Sequence, residues 1–505
     1  TKRGNGNGKG MAFTNGGCTT ATTDERHNVE MVDISNLDVA ISAGSRHGNA
    51  PHYNGNVGNF TFDDVTFTDV GTAIKHGSGG GTGFDLSGVS ITNATGSCLD
   101  LPDDASLTWI EGSATNCNTN LGSSDGGILT GDGSSINLEN VDFTDSAQNG
   151  IIGGASDITL SNVSMSTGGL NSFSLTGTSL GQTGGQTSGT SLSVFNLNAP
   201  GYANGIDTHA TDDLSIDTFT GGGIQVAPGG ASANVLGASG WALTDVTTTG
   251  NVILMRTNPS TIDNLIADGY LQFSGTAASS DMVTVTPLTA DGISVLGCGW
   301  NVRADDVTLG GGSAGTWATA SCTSSSARST LTVVDGTMVG SQSNNNILYA
   351  RNGKVTVADI AITGQTALGA YVAKASTNGD IRMIGVSWQG NDCADSNGWT
   401  GMNDCWIDAS SSTADIYIGG LARVGAYRMM SGVPVYVADH AVTTTVVSTS
   451  GTCPGTACAV TTVTGVGTAY TDSTGNATVW LLQDRIGLSG GSTQVTDSYV
   501  DHYIN

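Results

Sequence analysis

Within the stretch Asp207-Thr-His209-Ala-Thr-Asp212-Asp213, three carboxylates and an imidazole follow directly on the apolar pair of Gly205-Ile206. Paired carboxylates with a histidine supply a general acid and a general base, the equipment for hydrolysing the glycosidic bond of a neutral sugar. A turn rich in Asp with a surface His accounts for the same residues without any chemistry, because Asp caps turns and tolerates left-handed backbone. Asp207, His209, Asp212 and Asp213 therefore stand as candidates, and no catalytic residue is assigned. The order Ser-His-Asp, a P-loop and an HExxH zinc motif are all missing from the sequence. Gly80-Gly81-Thr-Gly83-Phe-Asp85 imitates a glycine-rich Ca²⁺-binding nonapeptide. It occurs once, out of phase, and reads as a loop followed by the start of a strand.

The charge balance narrows the partners. Asp and Glu number 43 against 16 Lys and Arg, a net charge of −27, which excludes nucleic acid as a partner because phosphate binding needs a basic surface. Glu occurs only at positions 25, 30, 111 and 139, so the acid is almost all Asp. With 75 Gly and abundant Ser, Thr and Asn, that skew is turn vocabulary rather than helix vocabulary, and it predicts an all-β chain. No apolar run approaches the ~18 residues of a membrane span. Thr1 begins without a leader, so a signal peptide or an anchor is expected outside these residues.

The elements that must position any site come from a repeat. An alternating apolar phrase, interrupted by Asn, Asp or Gly and then resumed, reads at Phe60-Thr-Phe62-Asp63-Asp64-Val65-Thr-Phe67 and at Val32-Asp-Ile34-Ser-Asn36-Leu37-Asp-Val39. Further copies start at Phe84, Ile136, Ile158, Leu192, Trp241, Val302, Leu331, Val355, Ile381 and Ile416, with weaker ones at Leu107, Leu214, Ser260 and Val283. The sixteen starts lie 19 to 35 residues apart. A Gly- or Asn-led apolar pair follows each copy, as at Gly71, Gly127, Gly150, Gly205, Gly223 and Gly292. One repeat thus holds three short strands. The residue between the first two must bend sharply, which Gly, Asn and Asp do at least cost, and this explains Asp64, Gly88, Asn140, Asn162, Asn196, Asp245, Asn264, Asp306, Asp359, Gly385 and Gly420 at one offset. Three strands cannot bury their apolar face alone, but stacked coils can.

This pattern, over roughly residues 28–430, resembles the right-handed parallel β-helix of the pectin-lyase-like superfamily. The expected fold is all-β: a right-handed parallel β-helix of about sixteen coils followed by a small β-sandwich module, with residues 1–27 as an N-terminal cap or linker. Sixteen coils at ~4.8 Å would extend about 75 Å. The phrase Thr471-Asp-Ser-Thr-Gly475-Asn-Ala-Thr-Val-Trp-Leu481, with Val433-Pro-Val-Tyr-Val-Ala438 before it, resembles immunoglobulin-like or carboxypeptidase-regulatory-like modules and assigns residues 431–505 to the sandwich, complete or not. The resemblance implies a groove beside one sheet where Asp binds Ca²⁺ or acts as acid and base while Arg or Lys meets a uronate. Between Lys75 and Arg256 there is no Lys or Arg, so a polyuronate would be repelled from that half. Lys75-His76 with Asp100 to Asp104, and Arg351 with Lys374 and Asp408, fall on adjacent coils as small binding sites or exposed ion pairs.

Nine cysteines complete the pattern. Cys98 and Cys117, and Cys298 and Cys322, are about one coil apart and are expected to pair; Cys393 with Cys405 and Cys453 with Cys458 would close loops, leaving Cys18 over. Disulfides imply an oxidising, extracellular location. Asn59, Asn93, Asn162 and Asn476 lie in glycosylation sequons. No cofactor is required, and Ca²⁺ at the Asp turns is compatible with their oxygen-rich composition. The leading expectation is an extracellular structural or adhesive surface protein, a stalk or a subunit of a surface layer or filament, whose partners are other copies of itself, surface proteins or glycans. The alternative is a polysaccharide-active enzyme, lyase or glycoside hydrolase, or a glycan-binding β-helix.

Overall fold

One residue in a left-handed conformation turns two alternating strands into two sides of a coil. In the strand Ser135–Thr144, Ile136 and Leu138 point inward, Glu139 and Asn140 both face out, and Val141 and Phe143 point inward again. Asn140, with φ 54°, supplies the bend, and the doubled outward pair resets the alternation so that both halves face one interior. The short strand Ile151–Gly153, which follows it, is the third side of the same coil. The computed structural model describes residues 9–13, 26–37, 39–43, 59–76, 83–117, 127–144, 149–166, 178–182, 190–227, 235–310, 317–339, 346–363, 371–388, 391–392, 407–448, 468–489 and 493–504. Among them there are strands and turns and no helix, so no helix is long and apolar enough to cross a membrane.

The chain forms two compact units, residues 1–271 with 277–279, and residues 272–276 with 280–505. That division falls inside the run of repeats, and the expected boundary at 430/431 lies within the second unit. In the first unit the first-side strands pair in parallel, with Leu107, Ile136, Ile158, Leu192 and Leu214 in one column. The third side stacks Ile74, Leu99, Ile128, Ile151, Leu180, Ile206, Ile224 and Val252 in the same way. In the second unit Val283, Val302, Leu331, Val355, Ile381 and Ile416 form the equivalent column. Parallel strands joined through two further sides, with a continuous apolar interior, make each run of coils a parallel β-helix. Aromatic rings fill the wider places: Phe60 stacks on Phe84 at 5.5 Å, and Trp109 meets Phe143 edge-on at 5.6 Å.

The corner column is left-handed at Asp64, Gly88, Asn140, Asn162, Asn196, Asp245, Asn264, Asp306, Asp359 and Gly385. It is also left-handed at Glu111 and Thr218, where the residue type departs from the rule: neighbouring rungs impose the bend on side chains that would not choose it. Two positions of the column are not left-handed: Gly420, which instead pairs with Leu481, and Pro287, in register with Asp306, whose ring holds φ negative.

Three expectations need correction. The copy read at Val32 is one strand out of phase, because His27 and not Val32 stands in register with Phe60; the first corner is Met31, at φ 49° and 80% exposed. Asn36 belongs to a second column of left-handed corners that continues at Asp69, Asn93 and Asn116. Lys9–Phe13, assigned to the cap, is a strand paired in parallel with Val39–Ala43, so it adds a rung to the third side.

The C-terminal residues are antiparallel, as the sandwich expectation requires, but they do not stand apart. Asp415–Gly425 pairs in parallel with Asp380–Ile384 on one edge and antiparallel with Asn476–Ser489 on the other, which closes that edge of the parallel sheet. Ala441–Ser448 pairs with Thr468–Tyr470 and with Thr493–Ile504. Tyr427–Met430 and Val433–Tyr436 make a separate two-stranded hairpin.

Candidate functional site

The turn that follows Gly205-Ile206 is held from below. Thr190 of the same coil donates its hydroxyl to the His209 carbonyl at 2.8 Å, and its own carbonyl accepts from the Thr211 and Asp212 amides at 3.0 and 3.1 Å. These bonds fix residues 209–213 as a corner, and the corner divides the candidate cluster. Asp207 lies on the third side, in register with Gly181 and Gln225. It is partly buried, and its Oδ1 meets no hydrogen-bond donor among the described residues. Burial pushes the Asp207 carboxyl above the ordinary range, and the charge of His209 draws it partly back. Asp212 is exposed in the corner, while Asp213 lies past it, at the head of the first side. Among the described residues no three of His, Cys, Asp and Glu converge to hold a metal ion.

Asp213 instead joins residues that the sequence reading did not group with it. A groove of about 400 Å³ runs across three rungs of the first side and is lined by Asp157, Ser191 and Asp213 in one row and Thr159, Ser193 and Ser215 in the next. The register explains the rows, since Asp157 stands beside Ser191, Thr159 beside Ser193, and Ser193 beside Ser215. Ser191 donates to Asp157 Oδ1 at 2.6 Å. One step further along the strands, Phe195 lies between Ser161 and Asp217 and is 52% exposed. Hydroxyls, two carboxylates about two rungs apart, roughly 10 Å, and an exposed ring form a surface suited to the hydroxyls and the apolar face of a sugar. The signal was present in the sequence as an outward Phe where neighbouring copies carry Ser161 and Asp217.

The remaining charged groups mostly tie rungs together. Lys75 meets Asp100 at 2.7 Å and Lys374 meets Asp408 at 3.4 Å, each pair on neighbouring rungs of the third side, as ion pairs rather than pockets. Lys374 also lies over the Tyr371 ring at 5.0 Å. In the second unit Arg303 pairs with Asp305 and Arg382 with Asp380 within single strands. Lys354 is partly buried in register with Asp380; burial first and the nearby Arg382 second lower its pKa, and Asp380 opposes them.

Two disulfides join neighbouring rungs, Cys98–Cys117 and Cys298–Cys322, as their spacing predicts. Cys18, Cys393, Cys405, Cys453 and Cys458 lie outside the described residues, as does Gly80 with its glycine-rich neighbours. Of the sequon residues, Asn59 is exposed, whereas Asn93 and Asn162 use Nδ2 as a ladder donor, to Asp69 at 2.8 Å and to Asn140 at 3.2 Å. Asn476 Nδ2 donates to Thr474 Oγ1 at 2.8 Å. Comparison with family models, curated proteins and solved structures gives no match for this chain.

Proposed function

We propose that this chain is a structural or adhesive protein of the extracellular surface, serving as a stalk or as a subunit of a surface layer or filament. The observation that carries the reading is that side chains which could have formed a site instead hold rung to rung: two disulfides, two Lys–Asp pairs and the Asn and Asp corner ladders all join successive coils. Disulfides persist in an oxidising compartment, which supports a place outside the cell. The stacked coils with an antiparallel end favour kinship with pectin-lyase-like β-helix proteins of microbial surfaces that carry an immunoglobulin-like or carboxypeptidase-regulatory-like module. Other copies, surface proteins and glycans are its partners in this reading. Immunogold labelling of intact producing cells is the test: label along the outer surface is expected, and label confined to the interior sinks the proposal.

The groove at Asp157, Ser191 and Asp213 favours a second reading, glycan binding or polysaccharide cleavage on the first side. Neutral polysaccharides are the better ligands, because no Lys or Arg lies between Lys75 and Arg256. Binding and release of reducing ends or unsaturated products, with and without Ca²⁺, are compared for the wild type, Phe195→Ala, Asp213→Asn, Asp207→Ala and Asp212→Ala. Loss with the first two alone places the site in the groove; unchanged binding in all four removes it.

A further inference from the structure

The hairpin of Tyr427–Met430 and Val433–Tyr436 exposes apolar residues that a small sheet normally covers. Two strands alone are marginal in water, yet this pair forms its own sheet among the described residues. Register places Tyr427 opposite Tyr436 and Met429 opposite Pro434, so these four side chains share one face. Tyr427, Met429 and Tyr436 are each 60% exposed or slightly more.

The two edges of the hairpin differ. The Val437 amide donates to the Ala426 carbonyl, which makes 426 and 437 a hydrogen-bonded pair and, by alternation, also 428 with 435 and 430 with 433. The backbone groups of 427, 429, 434 and 436 therefore point away from the hairpin. On the edge of Val433–Tyr436, Pro434 has no N–H to offer, which blunts it. On the other edge Tyr427 and Met429 each present an N–H and a C=O with no partner among the described residues.

We infer that the Tyr427–Met430 edge pairs antiparallel with the same edge of a second copy, joining two hairpins into one four-stranded sheet. An edge that offers both donor and acceptor at alternate residues is complementary to itself about a two-fold axis. Charge favours the second copy as occupant. Two chains of −27 repel wherever their Asp-rich turns meet, but Tyr427 to Ala438 contains no carboxylate, and its one charge, on Arg428, sets a single exposed like-charge contact with the second copy's Arg428 across the two-fold, which salt screens. Because the opposite edge is blunted, association closes at two copies rather than growing into a fibre. The inference rests on the assembly reading above for its biological setting only.

The test is sedimentation velocity on the full chain over a dilution series. The wild type is expected to dimerise and to dissociate on dilution. Met429→Pro, which blunts the open edge as Pro434 blunts the other, is expected to be monomeric with an unchanged circular dichroism spectrum. The double variant Tyr427→Glu with Met429→Glu keeps the backbone and sets carboxylates against carboxylates; it too is expected to be monomeric, and it decides the matter if the proline variant misfolds. A wild type that stays monomeric at every concentration overturns the inference, including the case in which slow exchange of the Tyr427 and Met429 amides shows that another part of the same chain covers the edge. A dimer that persists in a folded variant overturns it as well. A monomer that still labels the cell surface leaves the assembly reading standing, whereas a dimer found only inside cells sinks that reading and not this one.

Discussion

The side-chain amide of Asn196 donates to Oδ1 of Asn162 at 3.0 Å, each residue holding the left-handed corner of its own rung. Asn162 in turn donates to Asn140 at 3.2 Å, so one column does two jobs: it bends the chain and it fastens neighbouring bends. The same device joins Asn264 to Asp245 at 2.7 Å and Asn116 to Asn93 at 2.9 Å.

The two jobs separate by substitution. Asn162→Ala loses both ladder bonds and puts a Cβ residue of poor left-handed tolerance at φ 51°, whereas Asn162→Gly loses only the bonds. Net hydrogen bonds are worth about 0.5–1.5 kcal/mol and these are exposed, so the glycine variant is expected to lose about 1 kcal/mol and the alanine variant about 1–2 kcal/mol more. Denaturant unfolding of the two variants measures the difference, and equal midpoints would show that the left-handed bend carries no cost here.

Gly112 is required by its neighbour. A Cβ there would overlap the indole nitrogen of Trp109 and come within 2.7 Å of the Val89 carbonyl. Gly112→Ala is expected to destabilise by about 1–3 kcal/mol, the usual range for overpacking. Trp109→Phe removes the overlapping ring edge, so the double variant should lose less than the two single losses added together. Strict additivity in thermal melts would refute the contact.

Reduction tests the rung staples. Cys98–Cys117 spans 19 residues and both sulfurs are buried, so replacing both residues with Ala is expected to cost about 3 kcal/mol. Wild type melted with and without reductant should show at least that drop, because Cys298–Cys322 opens as well. The absence of any drop in a sample whose thiols have become titratable would mean that the bond does not restrain the fold.

Asp207 predicts a pH dependence of a particular sign. Its folded pKa lies above the unfolded value, so the folded state binds the proton more tightly, and stability falls as pH rises from the unfolded value, about 3.9, through the raised folded one. At neutral pH the buried charge is a cost. Asp207→Asn should therefore be neutral or stabilising near pH 7, with the advantage shrinking below about pH 4. Unfolding midpoints across that window check it, and a variant less stable than the wild type at pH 7 would point to a partner for the ionised carboxylate.

The strands, their inward faces and most corners were legible because alternation and left-handed tolerance are local properties, written into residues such as Phe60, Phe62 and Asp64. Legibility failed where the local signal was weak or duplicated. Met31 does not look like a corner residue, and Asn36 looks like the wrong one, since both corner columns favour the same residue types. The phrase therefore locked one strand late. The two described disulfides were legible because a spacing of one coil puts both cysteines at the same place on the coil.

The parallel β-helix and its rung-to-rung staples are local in origin, because each coil repeats one set of rules and errors at single copies are outvoted by their neighbours. Which side of the coil a residue serves is set by long-range pairing. Asp207 and Asp213 are six positions apart in sequence, yet a corner sends one to the third side and the other to a groove shared with Asp157 and Ser191 on other rungs. Tertiary structure likewise turned Asn476–Ser489 back onto the last parallel strand and left the edge of Tyr427–Met430 open. Such pairings depend on where the chain returns after a loop, and alternation alone carries no record of that.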